Sequence, residues 1–282
     1  MVKVGEPIFL SNILLYPLTG ENQTDGLFTL DEISDRVVIE ELPQARVEEI
    51  VMENRADRPL LMIDGEEVIG ALQNRIVATS LILEPNKRTR IPTTCVERNR
   101  WEGESRFAPG RTCSFPSIRA IIAEATVRGR PYQEQVWRSI DEKLRSTRTL
   151  SKTSSMHDIY ENLTDELNRY VSEMEPIHAN GMVIVCGDRI LGLDYFSSRE
   201  IFDKFKPKLI QSYGLEAIDY HQPTRRIEIE PFLNHIFNGK KRWKRTKGGG
   251  QGRVMARLGK GYVARALRYQ DSLIHLAAFP ID

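Results

Sequence analysis

At 282 residues, 40% hydrophobic and 28% charged, the chain has the make-up of a folded protein able to bury one large core or two modest ones. No run approaches the about 18 apolar residues of a membrane helix, and the first residues lack a basic-then-apolar signal pattern, so the expectation is a cytoplasmic protein without a membrane partner. Cys95, Cys113 and Cys186 are widely spaced and form no Cys-x-x-Cys pair, which excludes a disulfide framework or zinc knuckle and predicts reduced thiols.

The net charge of +1 hides an asymmetry. Lys240, Lys241, Arg242, Lys244, Arg245, Lys247, Arg253, Arg257 and Lys260 lie in one stretch without an acidic residue, and +1 less those nine leaves the remainder at −8. Such a block forms either a local patch for phosphate, nucleic acid or an acidic partner, or a solvated loop.

In chain order, the first half reads as β. Phe9 to Leu18, Val37 to Leu42, Val47 to Glu53, Pro59 to Ile63, Arg75 to Leu83 and Arg88 to Val96 are short runs rich in Val, Ile, Leu and Thr. Turn residues at 54–57 and 85–87 separate them and suit antiparallel hairpins. Thr29, with Glu32 three positions on, predicts a capping box opening a short helix over Leu30 to Ser34. After Pro116 the period becomes helical: Val136, Ile140 and Leu144 recur every four residues, and Ile159, Leu163, Leu167, Tyr170, Val171 and Met174 form a longer stripe. Between these lies Arg145 to Met156, rich in Ser, Thr and basic residues, the best candidate for a mobile connection or domain boundary.

The chain then returns to β. Met182 to Cys186 and Arg189 to Tyr195 meet at Gly187-Asp188, suited to a two-residue turn. Ser197 with Glu200 predicts a capped helix burying Phe202, Phe205, Leu209, Ile210 and Tyr213 despite Pro207, and Pro231 and Gly239 bracket another short helix. Tyr262 to Tyr269 with Leu273 to Phe279 forms a last hairpin. The pattern predicts an α+β fold: an N-terminal antiparallel β-sandwich or open barrel over residues 1–126, followed by a helical segment and a smaller β/α region over 127–282.

Polar groups crowd the stretch from Asp64 to Trp101. Strand parity puts Ile91, Thr93, Cys95 and Glu97 on one inward face, so Glu97 is expected to be partly buried, with Arg75 on a neighbouring strand as its partner. One reading makes Glu66, Glu67, Gln73, Asn74, Arg75, Cys95, Glu97 and Trp101 the wall of a ligand pocket, with amides and carboxylates for sugar hydroxyls and Arg75 for an anionic group. The other makes them a network tying strands together. The neighbouring carboxylates of Glu66 and Glu67 suit Mg²⁺ or Ca²⁺, but adjacent strand residues point to opposite faces, so both join one site only if the turn after Asp64-Gly65 reorients one of them. Cys95 has no neighbouring histidine and reads as a small buried hydrophobe, and His275, within an apolar strand, reads as a satisfied core histidine. Gly248 to Arg253 superficially resembles a phosphate cradle but follows no strand and reads as a flexible loop, whereas Lys240, Lys241, Arg242, Trp243, Lys244 and Arg245 combine cations with one aromatic that could stack on a base.

Asp64-Gly65-Glu66-Glu67-Val68-Ile69-Gly70-Ala71-Leu72-Gln73-Asn74-Arg75, Ile91-Pro92, Cys95-Val96-Glu97 and Arg100-Trp101 resemble the ADP-ribosylglycohydrolase- and rhodanese-phosphatase-associated protein domain, a prokaryotic family. Weaker likeness continues at Gln135-Val136-Trp137, 187–196, Ser212-Tyr213 and His275-Leu276, which implies one family-wide domain over 1–282. Leu72 stands where that family leads one to expect a basic residue. The resemblance implies an association with ADP-ribose and phosphate chemistry and transfers no catalytic residue.

The leading expectation is therefore a protein binding a nucleotide- or ADP-ribose-like ligand in the β half, in which Arg75→Ala abolishes binding without changing the melting temperature. The rivals are a hydrolase using Glu97 or Glu67 as general base, a nucleic-acid or protein-interaction module using 240–260, and an assembly role through exposed sheet edges pairing with a second copy. No cofactor is specified by any motif.

Overall fold

The computed structural model describes residues 2–23, 26–174, 176–239 and 242–281. Its β strands fall into three sheets. Six strands close into a barrel in the order Lys87–Cys95, Glu49–Asn54, Val37–Glu40, Arg106–Cys113, Glu66–Gly70 and Arg75–Val77, the last returning to Lys87–Cys95. Alternation along these strands drives the closure. Ile39, Ile50, Met52, Val68, Val77, Ile91 and Phe107 turn inward and are buried together, each full burial being worth about 1.5–3 kcal/mol. The barrel thus replaces the expected sandwich or open barrel. Its edge is removed by Arg106–Cys113, a strand that sequence pattern did not mark, because Pro109, Gly110 and two arginines read as a loop. Proline has no N–H for a ladder, and the register of this strand slips between Pro109 and Cys113.

Arg75 to Leu83, expected as one strand, is two. Arg75–Val77 belongs to the barrel, whereas Leu81–Leu83 pairs with Leu60–Met62, which also pairs in parallel with Phe28–Thr29. The capping contact forms, the Thr29 N–H and hydroxyl both donating to Glu32 Oε2 at 2.8 and 3.0 Å, but it opens only a 3₁₀ turn over Ser34–Arg36.

The third sheet is the largest. In order it comprises Lys3–Val4, Ile13–Thr19, Gly181–Cys186, Arg189–Phe196, Ser272–Pro280, Tyr262–Tyr269, Arg253–Leu258 and Lys244–Arg245, with Ile8–Leu10 also on Ile13–Thr19. The C-terminal β region is therefore not the smaller one, and it includes strands from the start of the chain. Both expected hairpins form, with Gly187 at φ +61° in the first turn, a conformation glycine adopts without penalty.

Among the described residues six helices cover these sheets: α1 Pro116–Arg128, α2 Gln133–Ser146, α3 Met156–Asn162, α4 Thr164–Ser172, α5 Arg199–Ala217 and α6 Glu230–Phe237. The stripe from Ile159 to Met174 is split at Leu163 (φ −108°, ψ 19°) into α3 and α4. Ser198, one residue after the expected Ser197, caps α5 by accepting from the Ile201 N–H at 3.3 Å. Phe202, Phe205, Leu209, Ile210 and Tyr213 are fully buried on its inner face. No helix among the described residues is long and apolar enough to cross a membrane.

Candidate functional site

The residues singled out between Glu66 and Trp101 do not meet in one cavity. Gly70 and Ala71, at φ +104° and +45°, reverse the chain between Glu66–Gly70 and Arg75–Val77. Asn74 Oδ1 closes that turn by accepting from the Gly70 N–H at 2.8 Å. As parity predicts, Glu97 is buried. Its partner is nevertheless Arg100, not Arg75. Glu97 Oε2 accepts from the Asn74 N–H (2.9 Å) and Arg100 Nη2 (2.6 Å), and Oε1 from Arg100 Nε (2.8 Å) and the Thr153 hydroxyl (2.7 Å). Burial alone would raise this carboxyl, but Arg100, the Asn74 N–H and Thr153 together hold it below its usual range. Arg100 also donates to the Ala71 carbonyl at 2.6 Å, so the pair clasps the turn. Residues 145–156, expected as a mobile connection, are held by the same clasp: besides Thr153, the Asn99 N–H donates to the Thr153 carbonyl and the Met156 N–H to the Val96 carbonyl, both at 2.9 Å.

Arg75 is fully buried and reaches the other way. Its Nη2 meets Glu41 Oε1 at 2.7 Å, and Nη1 donates to the carbonyls of Arg46 and Glu49 at 2.7 and 3.3 Å. Burial pushes the Glu41 carboxyl up and the Arg75 guanidinium down even though they touch, the signature of a pair whose desolvation outweighs its attraction. Such an arginine is closed to a ligand.

Glu66 and Glu67 diverge as adjacent strand residues must. Glu66 accepts from the Ile63 N–H (2.7 Å) and from Lys208 on α5 (3.0 Å), and Glu67 from Thr112 (2.6 Å), with His157 Nδ1 of α3 at 3.0 Å. Burial pushes Glu66 up against the pull of Lys208. Cys95 is buried, its thiol pushed up by desolvation, with Gln133 bonding its backbone N–H and carbonyl. Gln73 is buried, its amide donating to the Arg98 carbonyl at 3.4 Å, whereas Trp101 is 51% exposed and stands outside these contacts. Among the described residues, no group of three or more His, Cys, Asp or Glu is arranged to hold a metal.

One buried cluster escaped the sequence reading. Arg119 on α1 forks onto Asp194 of the large sheet and also meets Asp64 beside the barrel, Nε to Oδ2, at 3.1 Å. Tyr213 donates to Asp194 at 2.8 Å, and Ser80 to Asp64 at 2.9 Å. His275 bridges them, with Nδ1 2.8 Å from the Ser80 hydroxyl and Nε2 3.0 Å from Asp194. Ser80, His275 and Asp194 have the connectivity of a hydrolytic triad. All three are buried, however, and the Ser80 hydroxyl donates to Asp64. His275 is the satisfied core histidine expected; the available signal for the rest was a single Arg or Asp set within an otherwise apolar helix or strand.

Among the accessible clefts of the described residues, one of about 1010 Å³ lies between the barrel wall and the basic loop. Arg46 and Arg90 line it from the barrel side, Arg245 and Lys247 from the loop, with Glu48, Glu49 and Tyr132 between. The glycine-rich segment is no free loop. It is pinned at the Thr246 N–H to the Val254 carbonyl (3.0 Å) and the Gln251 N–H to the Ile82 carbonyl (2.7 Å). A Cβ on Gly249 would lie 2.6 Å from Pro92 Cδ, so only glycine allows this approach. Of the basic residues proposed for phosphate or nucleic-acid contact, Lys244 and Arg245 form the edge strand and Arg242 is exposed. Trp243 carries Arg257 4.6 Å over its ring and lines a different cleft, in which Phe237, Met255 and Leu276 sit with Arg253, Arg268 and Asp271. Lys240 and Lys241 lie outside the described residues.

The molecule is thus a mixed α/β protein in which a closed barrel is joined to a large antiparallel sheet, with a cationic cleft on the barrel wall. The model of the ARG and rhodanese-phosphatase-superfamily-associated protein domain matches residues 1–279, and the chain belongs to that family. No curated protein and no solved structure matches it.

Proposed function

We propose that the protein binds a phosphate-bearing, nucleotide- or ADP-ribose-like ligand in the cleft between the barrel and the basic loop. The observation that carries this reading is the convergence of Arg46, Arg90, Arg245 and Lys247, from three separate segments, on one cleft that holds only two carboxylates, Glu48 and Glu49. Four cations against two carboxylates leave the cleft positive by two charges, complementary to a diphosphate bridge, and arginine forks suit its oxygens. Tyr132, partly buried against a neighbouring apolar cluster, also lines the cleft and is the aromatic group there for a base or sugar. The family's association adds support for the ADP-ribose part of the proposal.

Within this reading, Arg75 supports the cleft from behind by holding the carbonyls of Arg46 and Glu49. A hydrolytic role for Glu97 has no geometric support, since each of its oxygens already accepts two hydrogen bonds.

Calorimetric titration with pyrophosphate and ADP-ribose tests the proposal. The expected result is saturable binding that weakens at least about tenfold, or about 1.4 kcal/mol, in Arg90→Glu and in Lys247→Glu. Absence of binding to the unmodified chain, or binding indifferent to both substitutions, overturns it.

A further inference from the structure

The cationic cleft does not end at Arg90. A second cleft, of about 440 Å³, continues over the barrel wall, lined by Leu42, Pro43, Val51, Arg88, Thr89 and Arg90. Arg90 lines both. The register explains the continuity: Arg90 pairs with Val51 and Pro92 with Glu49 on neighbouring antiparallel strands, so these side chains share the outer face of the barrel, while Ile91 and Ile50 point inward. From Pro92 in the first cleft to Arg88 in the second is four strand residues, about 13 Å. The two clefts differ in chemistry. The first is charged and bears Tyr132. The second offers exposed Pro43 with the largely buried Leu42 and Val51 beside it, and Arg88 is already engaged by Glu40 at 3.0 Å.

The geometry points to a ligand in two ring-bearing halves joined by a diphosphate, the ADP-ribose or dinucleotide class, rather than a free phosphate or a nucleoside diphosphate. The diphosphate lies among Arg46, Arg90 and Lys247, one ring against Tyr132, and the other half crosses Arg90 onto the apolar shelf of Leu42, Pro43 and Val51. This inference rests on the proposed cleft as the binding site and specifies what fills it. The shelf rewards the apolar face of a ring and excludes water from it, giving the second half of the ligand its own share of the affinity.

The test compares pyrophosphate, ADP and ADP-ribose on the full chain, and on Pro43→Gln and Val51→Thr, which add no charge near the anion. ADP-ribose is expected to bind at least about fivefold tighter than ADP, and that advantage is expected to vanish in both variants while pyrophosphate affinity stays unchanged. Unchanged pyrophosphate binding also certifies that each variant is folded. Equal affinity for ADP and ADP-ribose, equal losses for pyrophosphate and ADP-ribose, or tighter binding of a single-stranded oligonucleotide than of ADP-ribose overturns the inference and leaves the cationic cleft standing. Failure of the unmodified chain to bind pyrophosphate removes the cleft reading and this inference together.

Discussion

Arg119 grips Asp194 through both terminal nitrogens, Nη1 to Oδ2 at 2.9 Å and Nη2 to Oδ1 at 2.7 Å, with neither side chain exposed to solvent. The pair ties α1, which packs across Arg253–Leu258, Tyr262–Tyr269 and Ser272–Pro280, to the middle of the large sheet, and Asp64, Tyr213 and His275 complete its hydrogen bonds.

Removing one member leaves the other charge stranded. Arg119→Met is expected to cost about 3–5 kcal/mol of unfolding free energy, read from the urea midpoint. A loss below about 1 kcal/mol would mean that the cluster relaxes or admits water.

Two pH windows follow from the buried titrating groups. Burial would raise Asp64 and Asp194, but Arg119 and His275 hold both below the ordinary carboxylate value of 3.8. Their stabilisation is complete above that value and is lost as pH falls through it, so stability should drop below about pH 4. Glu41 and Glu66, raised from 4.5 by burial, act in the opposite sense, and their cost is relieved as the pH falls toward 4.5. On the other side of neutrality, hydrogen bonding to Glu67, against desolvation and with the charges of Glu161 and Asp158, raises His157 from 6.5. That contribution is complete below pH 6.5 and is lost as pH rises above it. Melting temperature should therefore fall from pH 6 to 8.5, and His157→Gln should flatten that slope.

Arg75→Ala should behave as a folding mutation. With Glu41 left buried and unpaired, a loss of about 3 kcal/mol or more is expected, the reverse of an unchanged melting temperature. Arg75→Ala with Glu41→Gln should recover part of that loss in a denaturation series, because the stranded charge is gone.

Gly250, at φ +64° and with its Cβ position against the Ile82 carbonyl, should resist alanine. A cost of about 1–3 kcal/mol is expected from backbone strain. Limited proteolysis near Lys247 should accelerate in Gly250→Ala as the basic loop lifts from the barrel.

Local pattern carried much of the fold. Strand parity placed Glu97 inside, the Gly187 turn and the last hairpin formed as expected, and the inner face of α5 follows its apolar spacing. What local pattern does not contain is which strands meet. Nothing in Ile13–Thr19 announces that it pairs with Gly181–Cys186, and nothing in Arg106–Cys113 announces a barrel stave. The site shows the same limit. The Gln73-Asn74-Arg75 and Cys95-Val96-Glu97 motifs stand out because they are polar and buried, and that alone cannot separate a network built to hold a turn from one built to hold a ligand. The cleft, by contrast, draws Arg46, Arg90 and Lys247 from segments too far apart for any spacing rule, and its glycines owe their meaning to Pro92 and Ile82 beneath them.

The pairing of Ile13–Thr19 with Gly181–Cys186, and through Arg189–Phe196 with Ser272–Pro280, sets an order of events during synthesis. The barrel segments all lie between Val37 and Cys113, so they can close locally once Cys113 has emerged. Lys3–Val4 and Ile8–Leu10 can pair with Ile13–Thr19 at once, but its other edge must wait for more than 160 further residues before Gly181–Cys186 emerges, so that edge of an apolar strand stays open in the nascent chain until then. Long-range β pairing of this kind is slow and prone to aggregation, which makes the waiting edge of Ile13–Thr19 a place where the folding chain can mispair.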